Sequence, residues 1–289
     1  MPEHQHNHAL DSEQQQRYAQ QGYLAGLKIF SEAEASTERE KFESLEQRGE
    51  ELDLPKPVSS YLRANAQYVS VQVAELVRHP AILGAVSSLL GKDLLVWSTE
   101  FFIKEAGTQK VVSWHQDLTY WGLGSTEGEM TAWLALSPAT PESGCMRFLP
   151  GSHRYDLLKH RDTFADSNLL SRGQELEVDV DESKAVDILL RPGEMSLHHG
   201  RIFHSSGPNV SNDRRIGLAI RYLRPDVKQL VAEKDYAILV KGWDRFNHFI
   251  PVAPPLRDFD PDYLARREEI MAEQSAALSQ GATQQLKRV

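Results

Sequence analysis

Residues Val111–Leu123 read VVSWHQDLTYWGL, an apolar run that closes on an imidazole and a carboxylate two positions apart, His115 and Asp117, just ahead of the aromatic pair Tyr120 and Trp121. On an extended strand residues i and i+2 share a face, so the spacing predicts that both side chains reach one metal ion. Taken alone, His-x-Asp is a weak signal in a chain with eleven histidines. Its plain alternative is a partly buried histidine hydrogen-bonded near a turn. The weight comes from order: the pair is followed by a Pro-Gly turn at Pro192 and Gly193, then His204 in RIFHSSGPN, then Arg215 in RRIGLAIRYL.

Two imidazoles and one carboxylate on one side of an ion, with open positions opposite, is the ligand set of non-heme Fe(II) oxygenases, although zinc accepts the same donors. Arg215 shifts the balance toward iron. On an antiparallel strand beyond His204, its guanidinium can grip the distant carboxylate of a 2-oxo diacid through two parallel hydrogen bonds. Ser206 offers a hydroxyl to the same group, whereas a simple zinc hydrolase needs no such arginine. Alternation puts Arg215 on one face with Gly217, and with Arg221 if no bulge intervenes, and turns Arg214 away. Arg221 is open between a rim ion pair and a role toward substrate or co-substrate. His198 and His199 are rivals to His204, and one of them is a candidate supporting group beside the ligands. Trp97, Trp133 and Lys104 are expected on inward strand faces, the tryptophans as core and Lys104 as a residue able to snorkel to an edge. Tyr120 and Trp121 line the pocket mouth or cap the barrel.

The rest of the chain bounds these readings. At 289 residues there is ample length for a buried core. The net charge of −9 argues against a general nucleic-acid binder. Cys145 is the single cysteine, so no internal disulfide is possible, which fits a reducing compartment. No apolar signal segment and no run long enough to span a bilayer is visible, and a soluble cytoplasmic protein follows as the expectation. His4, His6 and His8 alternate in a polar N-terminus, read as an incidental feature of a disordered tail over 1–10 rather than a metal tract. Helical signals occupy 11–91, with Ser12 as N-cap of the first helix, a helical region from Ser60 to Val77 and another from Pro80 to Leu90. After Gly91 the texture becomes β-branched and aromatic, with short strands separated by turns: Leu94–Lys104, Val111–Gln116, Met130–Leu136, Met146–Leu149, then further strands up to Ile216–Leu223. Residues 153–173 read as an irregular or helical excursion. The pattern over 92–224 predicts an all-β sandwich or barrel with flanking helices, and 225–289 an irregular segment followed by a helix from Asp262.

Together WHQD, TAWLALSPAT, GCMRFLPGSHR, RPGEMSLHH and HSSGPN with Arg215 resemble the phytanoyl-CoA dioxygenase family of Fe(II)/2-oxoglutarate-dependent oxygenases. The resemblance is specific over roughly Leu94 to Arg224 and looser in the N-terminal helices and in KGWDRFNHF, Lys241–Phe249. It implies one domain over 1–289 built on a double-stranded β-helix, a cupin-like jelly-roll. It implies iron at His115, Asp117 and His204, and 2-oxoglutarate held by Arg215 and Ser206 with Lys104, Gln116 and Trp133 near it. Fe(II), 2-oxoglutarate and O2 are then the cofactors, and oxidation of a C–H bond releases succinate and CO2. A small residue stands at the Asp117 position in halogenating relatives, so the carboxylate here implies a hydroxylase or related oxidase. The resemblance also implies a substrate pocket at Tyr120, Trp121 and Trp243, with Lys241–Phe249 closing as a lid. The expected partner is a small polar metabolite or a secondary-metabolite intermediate, since no basic patch for coenzyme A is evident, with no nucleic acid, no membrane, and a monomer or homodimer. The alternatives are a zinc-dependent hydrolase or isomerase on a cupin-like barrel and a non-catalytic metal-binding module.

Overall fold

The computed structural model describes residues 8–279, so His4, His6 and most of the expected tail lie outside the described residues. Helix α1, Ser12–Gln21, starts one residue earlier than expected in its capping: Asp11, not Ser12, is the N-cap, and it forms a capping box with Gln14. Gly22, at φ 81°, ends the helix and feeds strand β1, Tyr23–Lys28. Ser31 caps α2, Glu32–Glu50, through a second capping box. The helical region expected over 60–77 is in fact broken into α3, Val58–Arg63, a 3-10 turn at Ala66–Tyr68 and α4, Val71–Leu76. The break falls at Asn65, whose φ of 58° is left-handed. Helix α5, Pro80–Leu90, follows, with proline at its first position and Gly91 beyond its last.

The β core comprises β2 (Leu94–Lys104), β3 (Val112–His115), β4 (Glu129–Ala135), β5 (Met146–Phe148), β6 (His160–Asp162), β7 (Gln174–Leu176), β8 (Val186–Asp187), β9 (Glu194–His198), β10 (His204–Ser206), β11 (Arg215–Leu223), β12 (Tyr236–Lys241) and β13 (Ile250–Pro251). A seven-stranded sheet runs β1-β9-β4-β11-β2-β12-β13, and a four-stranded sheet β3-β10-β5-β8 faces it, giving the jelly-roll. Two expectations are corrected here. The excursion over 153–173 is largely irregular as expected, but His160–Asp162 within it is a strand that pairs with Gln174–Leu176 as a separate β6–β7 hairpin. The supposedly irregular start of the last segment holds β12, which pairs with β2.

Strand β11 is buried along its whole length because both of its faces are covered. Ile216, Leu218, Ile220 and Tyr222 pack with Val96 and Phe101 of β2 against the helices. The Phe42 ring of α2 stacks on Phe101 at 4.1 Å between centroids, a geometry that adds about 1 kcal/mol beyond its buried area. Arg215, Gly217, Ala219 and Arg221 face the opposite way, into the space between the sheets. Trp133 of β4 lies across this inner floor. A β carbon on Gly217 would come 1.8 Å from the Trp133 ring. Gly217→Ala is therefore expected to cost about 1 to 3 kcal/mol by overpacking, read as a lower denaturation midpoint; an unchanged midpoint would mean that the indole moves away freely.

A bulge sets the inner face of β2. Arg221 pairs with Ser98 and Tyr222 with Val96, so Trp97 is the extra residue. The bulge inverts the alternation beyond it, which aims Ser98, Glu100 and Phe102 inward while Trp97 also reaches the inner side. Helix α6, Pro261–Ser279, packs alongside. Its Arg267, 2% exposed, donates to Ser60 O and to Ala64 O at the end of α3 and lies over the Tyr61 ring. A guanidinium on the free carbonyls of a helix C-terminus is a favourable cap.

Candidate active site

Strand β10 lies between β3 and β5, and its register sets His204 directly opposite His115. Their rings stand 4.0 Å apart. Asp117 reaches them by a different route from the one the spacing predicts: β3 stops at His115, and Asp117 opens a 3-10 turn, Asp117–Thr119. The turn is held by a hydrogen bond from Leu118 N to Gly200 O at 3.1 Å. Asp117 Oδ1 lies 3.2 Å from His115 Nε2 and 3.8 Å from His204 Nε2. Among the described residues these three form the one group able to hold a metal ion, with donor atoms within 4.8 Å of one another. The second nitrogens fix the tautomers. His115 Nδ1 donates to Ser113 O at 2.9 Å and His204 Nδ1 to Ile202 O at 3.1 Å, which leaves both Nε2 lone pairs bare toward Asp117. Burial alone would raise the Asp117 pKa, but His204, His115 and Arg221 hold it well below the usual carboxylate range. Burial, with His115 next, pushes His204 well down. A divalent ion is held by an ionised carboxylate and unprotonated imidazole nitrogens, and the directions at Asp117 and His204 run that way.

Behind this group is a narrow chamber lined by Phe102, Trp133, Ser206, Arg215 and Arg221. Arg215 is 2% exposed and lies over the Trp133 indole, 5.4 Å from its centroid. Its Nη atoms donate to Gly144 O and, at 3.5 Å, to Phe102 O, while Nε is buried without a partner. A buried cation with an unused donor, facing a cavity, fits the far carboxylate of a dicarboxylic acid. Lys104 sits opposite Arg215 in the β2–β11 register and donates to Ser206 Oγ at 2.7 Å and to Gly207 O.

Lys104 is pushed down to about 6 by burial and then by the Arg215 charge. Its folded pKa lies below the unfolded value of 10.5, so between these limits the unfolded chain binds more protons and stability rises with pH. A dianion arriving at Arg215 should return a proton to the amine. Binding of 2-oxoglutarate at pH 8 is expected to take up about one proton, measured by calorimetry in buffers of different ionisation heat. Lys104→Met should abolish that uptake, and no uptake by the wild type would show that the amine stays neutral.

Other expected site residues fall differently. Gln116 is fully buried and turned away from the chamber: its side chain donates to Arg201 O at 2.9 Å and accepts from Leu158 N at 2.9 Å, bracing loops rather than meeting a co-substrate. Tyr120 and Trp121 do line a larger cleft, of about 1180 Å³, that opens from the metal group between α3, β2 and α6. Trp243 does not reach it. The indole is 72% exposed, and its backbone N–H is tied to Asp93 at the far end of β2. The lid expected over 241–249 is corrected accordingly, since Phe249 is buried behind Trp97 and Trp121, not over the opening. His198 lines the chamber with its Nε2 4.0 Å from Asp117 Oδ2, beside the ligand group, while His199 turns toward Glu129. Arg214 points away and pairs with Glu46, as alternation predicts.

Several residues escaped the sequence reading. Arg172 of the β6–β7 hairpin covers the Tyr120 ring at 4.9 Å and pairs with Asp162. Asp235 accepts from the Trp97 indole at 2.7 Å and from Gln274 of α6 at 3.3 Å, and Asn65 donates to Gln274 at 2.7 Å. This buried chain of amides and one carboxylate fixes the cleft wall.

Comparison with known proteins places this geometry. The family model described as Phytanoyl-CoA dioxygenase (PhyH) matches residues 18–217, well over half the chain. The chain belongs to the phytanoyl-CoA dioxygenase family. Curated relatives in that family include the "probable alpha-ketoglutarate-dependent hypophosphite dioxygenase" of Stutzerimonas stutzeri, 26% identical over 80% of this chain and 86% of the relative. The L-proline trans-4-hydroxylase of Streptomyces griseoviridis is 28% identical over 72% of this chain and 84% of its own length. Among solved structures, the apo form of the non-heme monooxygenase ThoJ superposes with a TM-score of 0.82 at 34% identity, covering 92% of this chain and 97% of that one. The jelly-roll expectation agrees with these relatives, and the expected 2-oxoglutarate is the alpha-ketoglutarate named for the hypophosphite dioxygenase, as non-heme chemistry is for ThoJ. No helix among the described residues is long and apolar enough to cross a membrane.

Proposed function

We propose that the protein is an Fe(II)- and 2-oxoglutarate-dependent dioxygenase that hydroxylates a C–H bond of a small molecule. The carrying observation is the convergence of His115, Asp117 and His204 within 4.8 Å at the junction of a chamber ending in Arg215 and a cleft wide enough for an organic substrate. His115, Asp117 and His204 would hold the iron, and Arg215 with Ser206 the far carboxylate of 2-oxoglutarate. When bound, iron and 2-oxoglutarate with O2 supply the oxidising equivalent, and succinate and CO2 are released.

The chain's own contribution is placement. The carbonyls of Ser113 and Ile202 orient the two imidazoles, and the Gly200 carbonyl anchors the turn that presents Asp117. Arg215 would hold the dicarboxylate over a floor formed by Trp133, whose ring packs down onto Gly217. Tyr120 and Trp121 restrict water at the cleft end. The carboxylate of Asp117 fills the position that a halide would need, which favours hydroxylation over halogenation. A zinc hydrolase leaves the buried Arg215 donor without use.

The test is a screen of metabolites for stimulated succinate formation by the Fe(II)-loaded protein, with mass analysis of the product. A gain of one oxygen atom in the stimulating compound is expected. Turnover of a substrate without consumption of 2-oxoglutarate would reject the reading, and a ring closure or epimerisation without oxygen gain would reject its hydroxylase part.

A further inference from the structure

At the inner end of the cleft is a charge pair that the proposed chemistry leaves unused. Arg221 is 8% exposed and lines both the chamber and the cleft. One Nη donates to Glu100 Oε2 at 2.9 Å, the other stands 3.5 Å from Ser98 Oγ, and Nε is buried without a partner. Glu100 lines the cleft, and Oε2 is its one hydrogen-bonded oxygen among the described residues. A guanidinium N–H left unsatisfied in a buried position costs about 1 to 3 kcal/mol. A ligand oxygen placed there recovers that cost, and a ligand N–H placed beside it would meet the free Glu100 oxygen.

The surroundings narrow the ligand further. The Trp121 face is already covered by Arg221 at 5.1 Å and the Tyr120 face by Arg172 at 4.9 Å, so no open aromatic cage remains for a quaternary ammonium group. The outer cleft cations are also engaged: Lys56 with Glu268, Arg267 with the α3 carbonyls, Arg63 with Leu169 O. None stands ready for the phosphates of a coenzyme A thioester.

We propose that Glu100 and Arg221 determine specificity by taking an α-amino-acid unit, Arg221 binding its carboxylate or carbonyl oxygen and Glu100 its N–H. The inference rests on the oxygenase reading, which makes the cleft end nearest the metal group the place where a substrate is chosen. The unit belongs either to a free amino acid or to one joined through amides to a larger molecule.

The experiment uses metal-free full-length protein and follows the fluorescence of its tryptophans, two of which border the pair. The probes are free L-amino acids, their N-acetyl amides, glycine betaine and acetyl-CoA. Saturable quenching by at least one amino-acid compound is expected, weakened at least about tenfold in Glu100→Gln and in Arg221→Met, with circular dichroism showing both variants folded. Tighter binding of the free acid identifies the free source, and tighter binding of the capped amide the linked one. The pair is overturned if no amino-acid compound binds, if betaine or acetyl-CoA binds more tightly, or if both folded variants bind like the wild type. Because iron takes no part in the titration, a missing Fe(II)/2-oxoglutarate absorption band alongside retained amino-acid binding counts against the oxygenase reading alone.

Discussion

Asp117→Ala is expected to abolish the visible absorption band that Fe(II) and 2-oxoglutarate give anaerobically, and to lower succinate formation by roughly 100-fold or more. The carboxylate is the one anionic donor of the group, with Oδ1 within 3.8 Å of both imidazole Nε2 atoms. Without it two neutral rings remain, and the local field that favours a dication is gone. The fold should survive, because Asp117 sits in a short turn whose backbone contact to Gly200 does not use the side chain. Spectral titration of the variant with Fe(II) and 2-oxoglutarate checks this directly. A band of wild-type intensity would remove Asp117 from the ligand set and with it the proposed function.

Arg215→Met should separate co-substrate binding from metal binding. Truncating one partner of a buried, hydrogen-bonded charge pair costs 2 to 5 kcal/mol, so the half-saturating concentration of 2-oxoglutarate should rise by about two orders of magnitude. Among the described residues the guanidinium is compensated only by carbonyl oxygens and an aromatic face, and burial brings its pKa down to about 10. Replacing an incompletely paired buried cation with an apolar side chain of similar length is often neutral or stabilising. The thermal midpoint of the unliganded variant should therefore stay level or rise while 2-oxoglutarate affinity collapses. Equal affinity in variant and wild type would place the dicarboxylate elsewhere.

The convergence of His115, Asp117 and His204 was legible because it depends on residue types and their order, and the strands that carry the two histidines have strong turn signals at their ends. Leu94–Lys104 was bounded correctly, since a β-branched and aromatic run stands between Gly91 and Gly107. What periodicity could not carry was the local path of the chain. Asp117 meets His115 through a turn, not through the pleat. The Trp97 bulge, which decides that Ser98 and Glu100 face inward, leaves no mark in composition. Tyr236–Lys241 was missed because a run of five apolar residues without alternation, closed by a lysine, reads equally as helix, strand or loop. Gln116 and Trp243 were misplaced for a related reason: adjacency to a motif says nothing about direction. Gln116 points into the loops behind the ligands, and Trp243 follows β12 out to the surface.

Helix α6 makes one wall of the cleft, yet it touches neither the proposed iron ligands nor the Arg215 chamber. It is held by Leu264 and Ile270 in the main core, by Arg267 at the end of α3 and by Gln274 within the Asn65–Asp235 chain. The cleft is thus built from two kinds of wall: paired strands β2 and β11, which carry Glu100 and Arg221 at its inner end, and a helix at its outer side. Resurfacing the C-terminal helix would therefore reshape the outer cleft while leaving the strand-borne pair and the proposed iron site in place.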